Sequence, residues 1–471
     1  MANSAASDVF YKSISELSDL YKIKQTTPSE VTELFLQRIF EYDDQYLSYA
    51  TVLHDDAVRR AELLTEELNK GKVRGPLHGI PIGIKDLCDM SGVKTMGGTA
   101  VLEDNVAQVD STVVEKLQES GAVILGKLNL TEGAMGGYNP RRSVPKNPWD
   151  VNKWSGSSSS GSGVATSAGL CIGSLGSDTG GSIRFPSAAC GLVGLKPTYG
   201  RVSRFGVLNL AETLDHVGPM TRNVSDAMAI FQCIAGHDPK DLTTRIESVP
   251  SFDFEISGDL SGFVLGYCED YCENDVNPEI VASVRRAKSV LTDMGVHFLE
   301  VKLPDIDRYL SAWKIICSAE AANSHRANYP DRYDEYGLWF RGWLEYGYGV
   351  SVNDYIDASR IRYECNGLFR DKFKNIDGFL CPTTINLPHI VDDSISYGPM
   401  DSLRGTSFQR FTVPFDFNGF PTVTLPSGFS EDGMPMSMQI VGNFLDEEKI
   451  CKVALEYEHH SGFPEIRPPN L

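Results

Sequence analysis

The sequence predicts an α/β protein built around a sheet of buried strands. Two short apolar segments, "LHGIPIGIKDL" and "VILGKLNL", are rich in isoleucine and leucine and are typical of buried strands. The segment "STVVEKLQESGA" lies between them and has apolar residues at helical spacing. A strand, a helix and a second strand in succession indicate a layered fold in which helices cover the sheet.

Length, charge and cysteine usage limit the classes of protein to consider. With 471 residues, the chain exceeds the size at which one hydrophobic core usually stops growing, so one large domain and two lobes both fit its length. A net charge of −20 argues against nucleic acid and anionic membrane surfaces as partners. Ten scattered cysteines predict a reducing, cytoplasmic location. The N-terminal segment "MANSAASDVFYK" lacks the basic and apolar regions of a secretion signal, and no apolar run is long enough to span a membrane.

The elements follow in order along the chain. Residues 9–70 have helical periodicity, with Ser29 as a predicted helix cap, and a strand is predicted to end near Lys85. Residues 155–200 are rich in Ser and Gly, which could indicate a flexible linker. We favour a compact core of small residues, because the apolar runs "VATSAGLC" and "LVGLKP" lie within this segment.

The second half is more polar and closes on strand-like segments. A helix is predicted at "PEIVASVRRAKSVLTDMG" and a strand at "VHFLEVKL". The aromatic cluster at 336–350 fits a core or homodimer interface as well as it fits a pocket wall or lid. Cys268 and Cys272 are more plausible as two ordinary thiols than as zinc ligands, because no further ligand pair follows. "FTVPFDFNGFPTVTLPSG" and "PMSMQIVG" are predicted to complete the sheet.

The stretch "DTGGS" carries the first indication of chemistry. Thr179, Gly180, Gly181 and Ser182 offer consecutive backbone amides, and glycine allows such a run to curl around one oxygen. Ser182 also begins the segment "SIRFPSAACG", which is predicted to be a helix whose dipole favours negative charge at that end. A nucleophilic serine beside an oxyanion hole is the arrangement that acyl transfer requires.

A serine needs a base to become a good nucleophile, and the residues alone leave two candidates. His216 has Asp215 beside it, but neighbouring side chains in an extended chain point in opposite directions. Lys85 lies at the end of an apolar strand, where desolvation would make it a neutral amine. Lys85 ranks slightly ahead of His216 on these grounds.

Two long motifs resemble those of a known family. The stretch "GSSSSGSGVATSAGLCIGSLGSDTGGSIRFPSAACGLVGLKP", residues 156–197, resembles the signature of the amidase signature family, and "PLHGIPIGIKDL" resembles that family's lysine strand. The resemblance implies the amidase signature fold, a large mixed central sheet with helices on both faces. It implies one domain over 1–471, with a core at about 65–230, a substrate-pocket and lid region at 231–400, and a return to the sheet at 401–471.

The resemblance also implies roles for single residues. Ser182 becomes the nucleophile, Ser158 the serine that follows a cis peptide bond, and Lys85 the base, with the amides of residues 179–182 as the oxyanion hole. The spacing of 24 positions between the two serines agrees with the family. Ser157 departs from the usual glycine pair at this point, and Ser159 is the alternative register.

Further residues are predicted to support the nucleophile or to line the substrate pocket. Asp178 and Arg184 are interpreted as a structural ion pair that holds the turn. Met135, Gly136 and Tyr138 are predicted pocket residues. Together with the aromatic cluster they favour an apolar substrate.

We therefore expect a stand-alone serine amidohydrolase acting on small apolar or aryl amides, and in addition on esters or carbamates. Its partner would be a small-molecule amide, with no metal or organic cofactor. The alternatives are a carbamate hydrolase, the glutaminase subunit of a tRNA-dependent amidotransferase, and an inactive binding scaffold. Gln409 argues against the glutaminase, because it occupies the position of the acid expected to hold the amino group of glutamine.

Overall fold

The computed structural model describes residues 9–400, 406–469 and 471. Two predictions fall partly outside this range. The first eight residues of the N-terminal segment lie outside it, and so do residues 401–405 of the predicted C-terminal region.

The described residues form a mixed sheet of eleven strands, which confirms the predicted fold class. The strands in chain order are Tyr49–Val52 (β1), Pro81–Lys85 (β2), Val123–Leu128 (β3), Gly173–Asp178 (β4), Val193–Lys196 (β5), His216–Thr221 (β6), Val264–Tyr267 (β7), His297–Glu300 (β8), Gly378–Pro382 (β9), Thr422–Phe429 (β10) and Pro435–Val441 (β11). Their order across the sheet is β1-β3-β2-β4-β6-β5-β10-β11-β9-β7-β8. Strand β2 pairs in parallel with β3 and β4, whereas β6 runs antiparallel to β4 and β5.

Fifteen α-helices accompany the sheet within the described residues. They are Ile14–Lys22 (α1), Pro28–Tyr46 (α2), His54–Asn69 (α3), Thr112–Glu119 (α4), Ser160–Ser167 (α5), Arg184–Cys190 (α6), Val224–Ile234 (α7), Glu269–Glu273 (α8), Pro278–Asp293 (α9), Asp307–Ser324 (α10), Leu338–Tyr348 (α11), Val352–Phe373 (α12), Asp393–Tyr397 (α13), Val413–Phe417 (α14) and Glu447–Ser461 (α15). Every residue of β2, β3 and β4 is buried, and since successive side chains point to opposite faces, both faces of the sheet are covered there. None of the described helices has the length and apolar composition needed to cross a membrane.

Three local predictions differ from the structure. Ser29 does not cap α2, because Thr27 accepts the amide of Glu30 and Glu30 bonds back to Thr27, which is a capping box. The helix after the glycine turn begins at Arg184, two residues beyond Ser182. Part of the predicted strand at 411–428 is the helix α14, which has Pro414 in its first turn, where proline suits a helix.

The division of 1–471 into a signature core, a pocket region and a returning segment stays a prediction. What the structure describes is a sheet whose strands come from positions 49 to 441 of the chain.

Candidate active site

Three predicted residues meet where two parallel strands end. Lys85 is the last residue of β2, and Ser182 lies in the turn after the neighbouring strand β4. Ser158 lies in the loop before α5, and the peptide bond between Ser157 and Ser158 is cis, as the resemblance implies. The amide of Ser159 donates to the carbonyl of Ser182 at 3.3 Å. This bond holds the loop at residues 157–159, here called the serine loop, against the turn at residues 179–182, here called the nucleophile turn.

The side-chain nitrogen of Lys85 contacts three serine hydroxyls. Its Nζ lies 2.7 Å from Ser158 Oγ and 2.9 Å from both Ser159 Oγ and Ser177 Oγ. Ser159 Oγ also donates to the carbonyl of Ser177 at 3.2 Å and accepts its amide at 3.2 Å. The one proton of the Ser159 hydroxyl is therefore used, so Ser159 can only accept from Lys85. Ser158 has no such competing bond among the described residues, which favours the register with Ser158.

Burial sets the charge of Lys85. The side chain is 1% exposed, and burial lowers the pKa of Lys85 to about 7, against the opposing effect of the negative charge on Asp178. A neutral lysine has two N–H donors and one lone pair. It can donate to Ser159 and Ser177 and accept a proton from Ser158.

The nucleophile turn is held by its carbonyl oxygens. Trp313 Nε1 donates to the carbonyl of Thr179 at 2.7 Å, and Thr412 Oγ1 donates to the carbonyl of Gly180 at 2.7 Å. Because a trans peptide directs its N–H opposite to its C=O, the first bond turns the amide of Gly180 away from Trp313. A Cβ on Gly180 would lie 2.5 Å from the Trp313 ring, so this position requires glycine.

One of the predicted oxyanion donors is already engaged. The amide of Gly181 donates to Asp178 Oδ1 at 2.6 Å, so it is not free to bind a substrate oxygen. This corrects the prediction that all four amides from Thr179 to Ser182 form the oxyanion hole. The amides of Gly180 and Ser182 donate to no described residue, and Thr179 is the third remaining member of the set.

Asp178 and Arg184 form the predicted ion pair. Two guanidinium nitrogens of Arg184 reach the Asp178 carboxylate at 2.8 and 3.0 Å, and a third contact joins Arg184 to Asp416 at 2.6 Å. All three side chains are fully buried. Burial alone would raise the pKa of Asp178, but the guanidinium of Arg184 holds it below its usual value. The ionised carboxylate also accepts the amide of Ile183, so it shapes the turn.

The histidine alternative is not assembled. His216 Nδ1 lies 3.2 Å from the carbonyl of Asp178, and burial lowers the pKa of His216 well below its usual value. The carboxylate of Asp215 binds Thr179 Oγ1 at 2.5 Å and the amide of Ala211 at 3.1 Å. Asp215 therefore anchors the nucleophile turn and does not orient the imidazole. Burial raises the pKa of Asp215 to about 6.

Ser182 opens into a cavity of about 520 Å³, whereas Lys85 and Ser158 lie buried behind it. The predicted residues Met135, Gly136 and Tyr138 line this cavity. Several aromatic residues form a large part of the remaining wall, beside aliphatic and polar residues. The aromatic lining residues are Trp154, Phe185, Trp313, Trp339, Trp343 and Phe408. The 336–350 cluster thus supplies a pocket wall through two tryptophans, and part of it, such as Phe340, is core.

The polar part of the cavity wall contains no carboxylate among the described residues. Gln409 lines it, with its amide nitrogen 3.5 Å from the carbonyl of Gly180. The described residues also include no group of three or more His, Cys, Asp or Glu side chains placed to hold a metal. Cys272 donates its thiol to the carbonyl of Leu380 at 3.7 Å.

Several site residues were not predicted from the sequence. Ser177 alternates with Asp178 at the end of β4, so one side chain points to Lys85 and the other to Arg184. Trp313 reaches the turn from α10, 134 positions along the chain from Thr179. The strand alternation could have indicated Ser177, but no local pattern indicates Trp313.

Comparisons with known proteins show the family of the chain. A family model described as "Amidase" matches residues 30–451. The chain is 37% identical to "Putative amidase AmiD" of Mycobacterium tuberculosis over 97% of this chain and 95% of that protein. It is 34% identical to one subunit of the glutamyl-tRNA(Gln) amidotransferase of Sulfurihydrogenibium sp., over 98% of this chain and 100% of that protein.

A solved structure described as "Crystal structure of amidase" superposes with a TM-score of 0.84 at 30% identity, covering 96% of this chain and 100% of that one. The family model covers most of the chain, and two relatives exceed 30% identity over nearly all of it. The chain belongs to the amidase signature family and is an amide-hydrolysing enzyme.

Proposed function

We propose that this enzyme is a serine amidohydrolase that cleaves small apolar or aryl amides through an acyl-enzyme formed on Ser182. One observation carries the proposal. The buried Lys85 amine lies 2.7 Å from the Ser158 hydroxyl, and Ser182 lies beside that serine loop on the wall of an aromatic cavity. The base and the relay are hydrogen-bonded, and the nucleophile lies next to the loop that carries the relay.

The Lys85–Ser158 hydrogen bond supports the first step of the proton path, and the transfer from Ser182 to Ser158 is part of this proposal. Neutral Lys85 accepts the proton of Ser158, which in turn accepts the proton of Ser182 as the Ser182 oxygen attacks the amide carbon. The substrate oxygen becomes negative and is stabilised by the amides of Thr179, Gly180 and Ser182, since fixed donors in a dry site lower the barrier for charge that develops there. The proton then returns through Ser158 to the amide nitrogen, the C–N bond breaks, and the amine leaves. Water releases the acyl group by the same steps in reverse.

The cavity supports an apolar or aromatic substrate. Aromatic and aliphatic side chains form much of the wall, and a site of this kind binds by apolar burial with a few polar groups fixing orientation. Esters and carbamates of the same acyl groups fit the same acyl-enzyme chemistry, so carbamate hydrolysis belongs to this proposal as a second activity.

A glutaminase subunit is the second candidate function, favoured by the 34% identity to an amidotransferase subunit over almost the whole chain. Glutamine carries an α-amino group that needs a negative partner. The described wall offers Gln409 and no carboxylate, which supports the stand-alone amidase instead.

The test uses the purified chain alone, without partner subunits. We would measure hydrolysis of butyryl-4-nitroanilide, an aryl carbamate, a fatty primary amide and glutamine at matched concentrations. The proposal expects turnover of the anilide at a kcat/KM well above that for glutamine. Turnover of glutamine alone, or activity that appears only with added amidotransferase subunits, would contradict it. No turnover of any substrate by the folded chain would favour the inactive binding scaffold.

The cellular location and the oligomeric state of the protein are not established. All ten cysteines are free, which supports a reducing, cytoplasmic environment. The sequence leaves a monomer and a homodimer both open, and light scattering of the purified chain distinguishes them.

A further inference from the structure

One lysine lies at the end of a row of aromatic side chains that begins on the cavity wall. Trp339, Trp343 and Tyr346 follow one another on α11, with ring centroids 6.0 and 6.4 Å apart and planes inclined by 25° and 27°. The two tryptophans line the cavity, and so does Lys314 of α10. The Lys314 ammonium lies 4.5 Å from the centre of the Tyr346 ring.

Lys314 has no negative partner in the described part of the chain. No Asp or Glu lies within ion-pair distance of its ammonium, although Arg308 on the same helix is paired with Glu364 at 2.8 Å. The described lining of the cavity also contains no carboxylate. A half-buried cation at an apolar wall with only a ring face beside it keeps its charge available for a ligand.

The cavity has room for a group beyond a single ring. Its volume is about 520 Å³, whereas a cavity of roughly 150 Å³ already accepts benzene. A ring stacked along the Trp339–Trp343 face leaves space for a substituent that extends toward Lys314. The chain as a whole carries a charge of −20, which repels anions, so a local cation is the feature that would make an anionic substrate acceptable.

We propose that Lys314 forms a subsite for a carboxylate on the substrate, so that the preferred amides have an apolar or aryl body and an anionic end. This inference rests on the proposed amidase function and specifies its substrate class. The carboxylate could belong to the acyl part or to the amine part. Lys314 acts as a specificity-determining residue and takes no part in the proton path through Lys85.

The experiment compares matched substrates on the purified chain. In the acyl arm, glutaryl-4-nitroanilide is compared with neutral hexanoyl-4-nitroanilide. In the amine arm, the butyryl amide of 5-amino-2-nitrobenzoate is compared with butyryl-4-nitroanilide. The readout in each arm is the ratio of kcat/KM for the anionic substrate to that for the neutral one, at low and at high salt.

We expect Lys314→Met to lower this ratio about three- to tenfold in one of the two arms, the range for losing a partly buried charge pair. Lys314→Arg should keep the ratio, and high salt should shrink it in the unmodified enzyme. Arg308→Met is the matched control, because it removes one positive charge from the same helix outside the cavity and should leave both ratios unchanged.

An unchanged ratio in both arms with Lys314→Met would overturn the subsite, as would an equal drop with Arg308→Met. These outcomes are distinct from failure of the amidase function. In that case the neutral anilides would not be cleaved at all.

Discussion

The pH dependence of amide hydrolysis should report the charge of Lys85. Burial lowers the pKa of this lysine to about 7, so its neutral, proton-accepting form accumulates as the pH rises through that value. About a tenth of the lysine is neutral at pH 6, about half at pH 7, and nearly all of it at pH 9. The rate with a 4-nitroanilide should therefore rise about tenfold from pH 6 and level off by about pH 8.

Replacing Lys85 by a residue without an amine should abolish this rise of the rate with pH. Lys85→Met should lower kcat for the anilide by about 10²–10⁴, the range for a positioned acid–base group, and leave a flat profile below pH 8. The loss should be smaller for the phenyl ester of the same acyl group, because a phenoxide leaves without the proton that an amine requires. Stopped assays of both substrates across pH on both variants measure this.

Three results would refute the reasoning. A rise that persists in Lys85→Met would mean that another group sets the pH dependence. A rise that begins only near pH 10 would mean that the lysine titrates at its ordinary pKa of ~10.4 and is not desolvated as the structure describes. Equal losses on the anilide and the ester would mean that Lys85 does not deliver the proton to the leaving group.

Three further predictions concern neighbouring residues. Ser158→Ala should lower kcat by about 10²–10⁴, whereas Ser159→Ala, which removes a hydroxyl whose proton is already donated to the Ser177 carbonyl, should cost less than about tenfold; the reverse order would move the relay to Ser159. His216→Ala should leave kcat for the anilide within about tenfold, because the imidazole is outside the proton path; a loss as large as that of Lys85→Met would restore the histidine mechanism. Arg184→Met strands two buried carboxylates and should lower the free energy of unfolding by about 3–5 kcal/mol in urea titrations; a change under about 1 kcal/mol would mean that the pair does not hold the turn.

Much of this site can be predicted from the sequence because its central residues lie close together along the chain. Ser158 and Ser182 lie in one continuous motif, and the small residues around them let the serine loop approach the turn closely. The motif does not encode the partners of the turn. Trp313 and Thr412 lie 134 and 232 positions from the carbonyls that they hold, and no periodicity of the chain indicates those contacts.

The predictions for the Gly181 amide and for the segment 413–417 were both wrong. The prediction for Gly181 assumed that a curled glycine run directs every amide to one oxygen. The carboxylate of Asp178 lies at the end of β4 and takes the Gly181 amide first. At 413–417 the apolar run resembles a strand, but the segment forms α14, whose Asp416 reaches Arg184 at 2.6 Å. Asp178 and Asp416 both contact Arg184, so the two segments meet at one buried cluster of charged side chains.

Mapping of the covalent adduct of a serine-directed sulfonyl fluoride tests the central claim most directly. The account predicts that the reagent adds once to the chain, that peptide mass spectrometry places it on Ser182, and that activity falls in step with labelling. Ser182→Ala should then take up no reagent and hydrolyse no anilide. An adduct on any other residue, formed in step with the loss of activity, would contradict the assignment of Ser182 as the nucleophile.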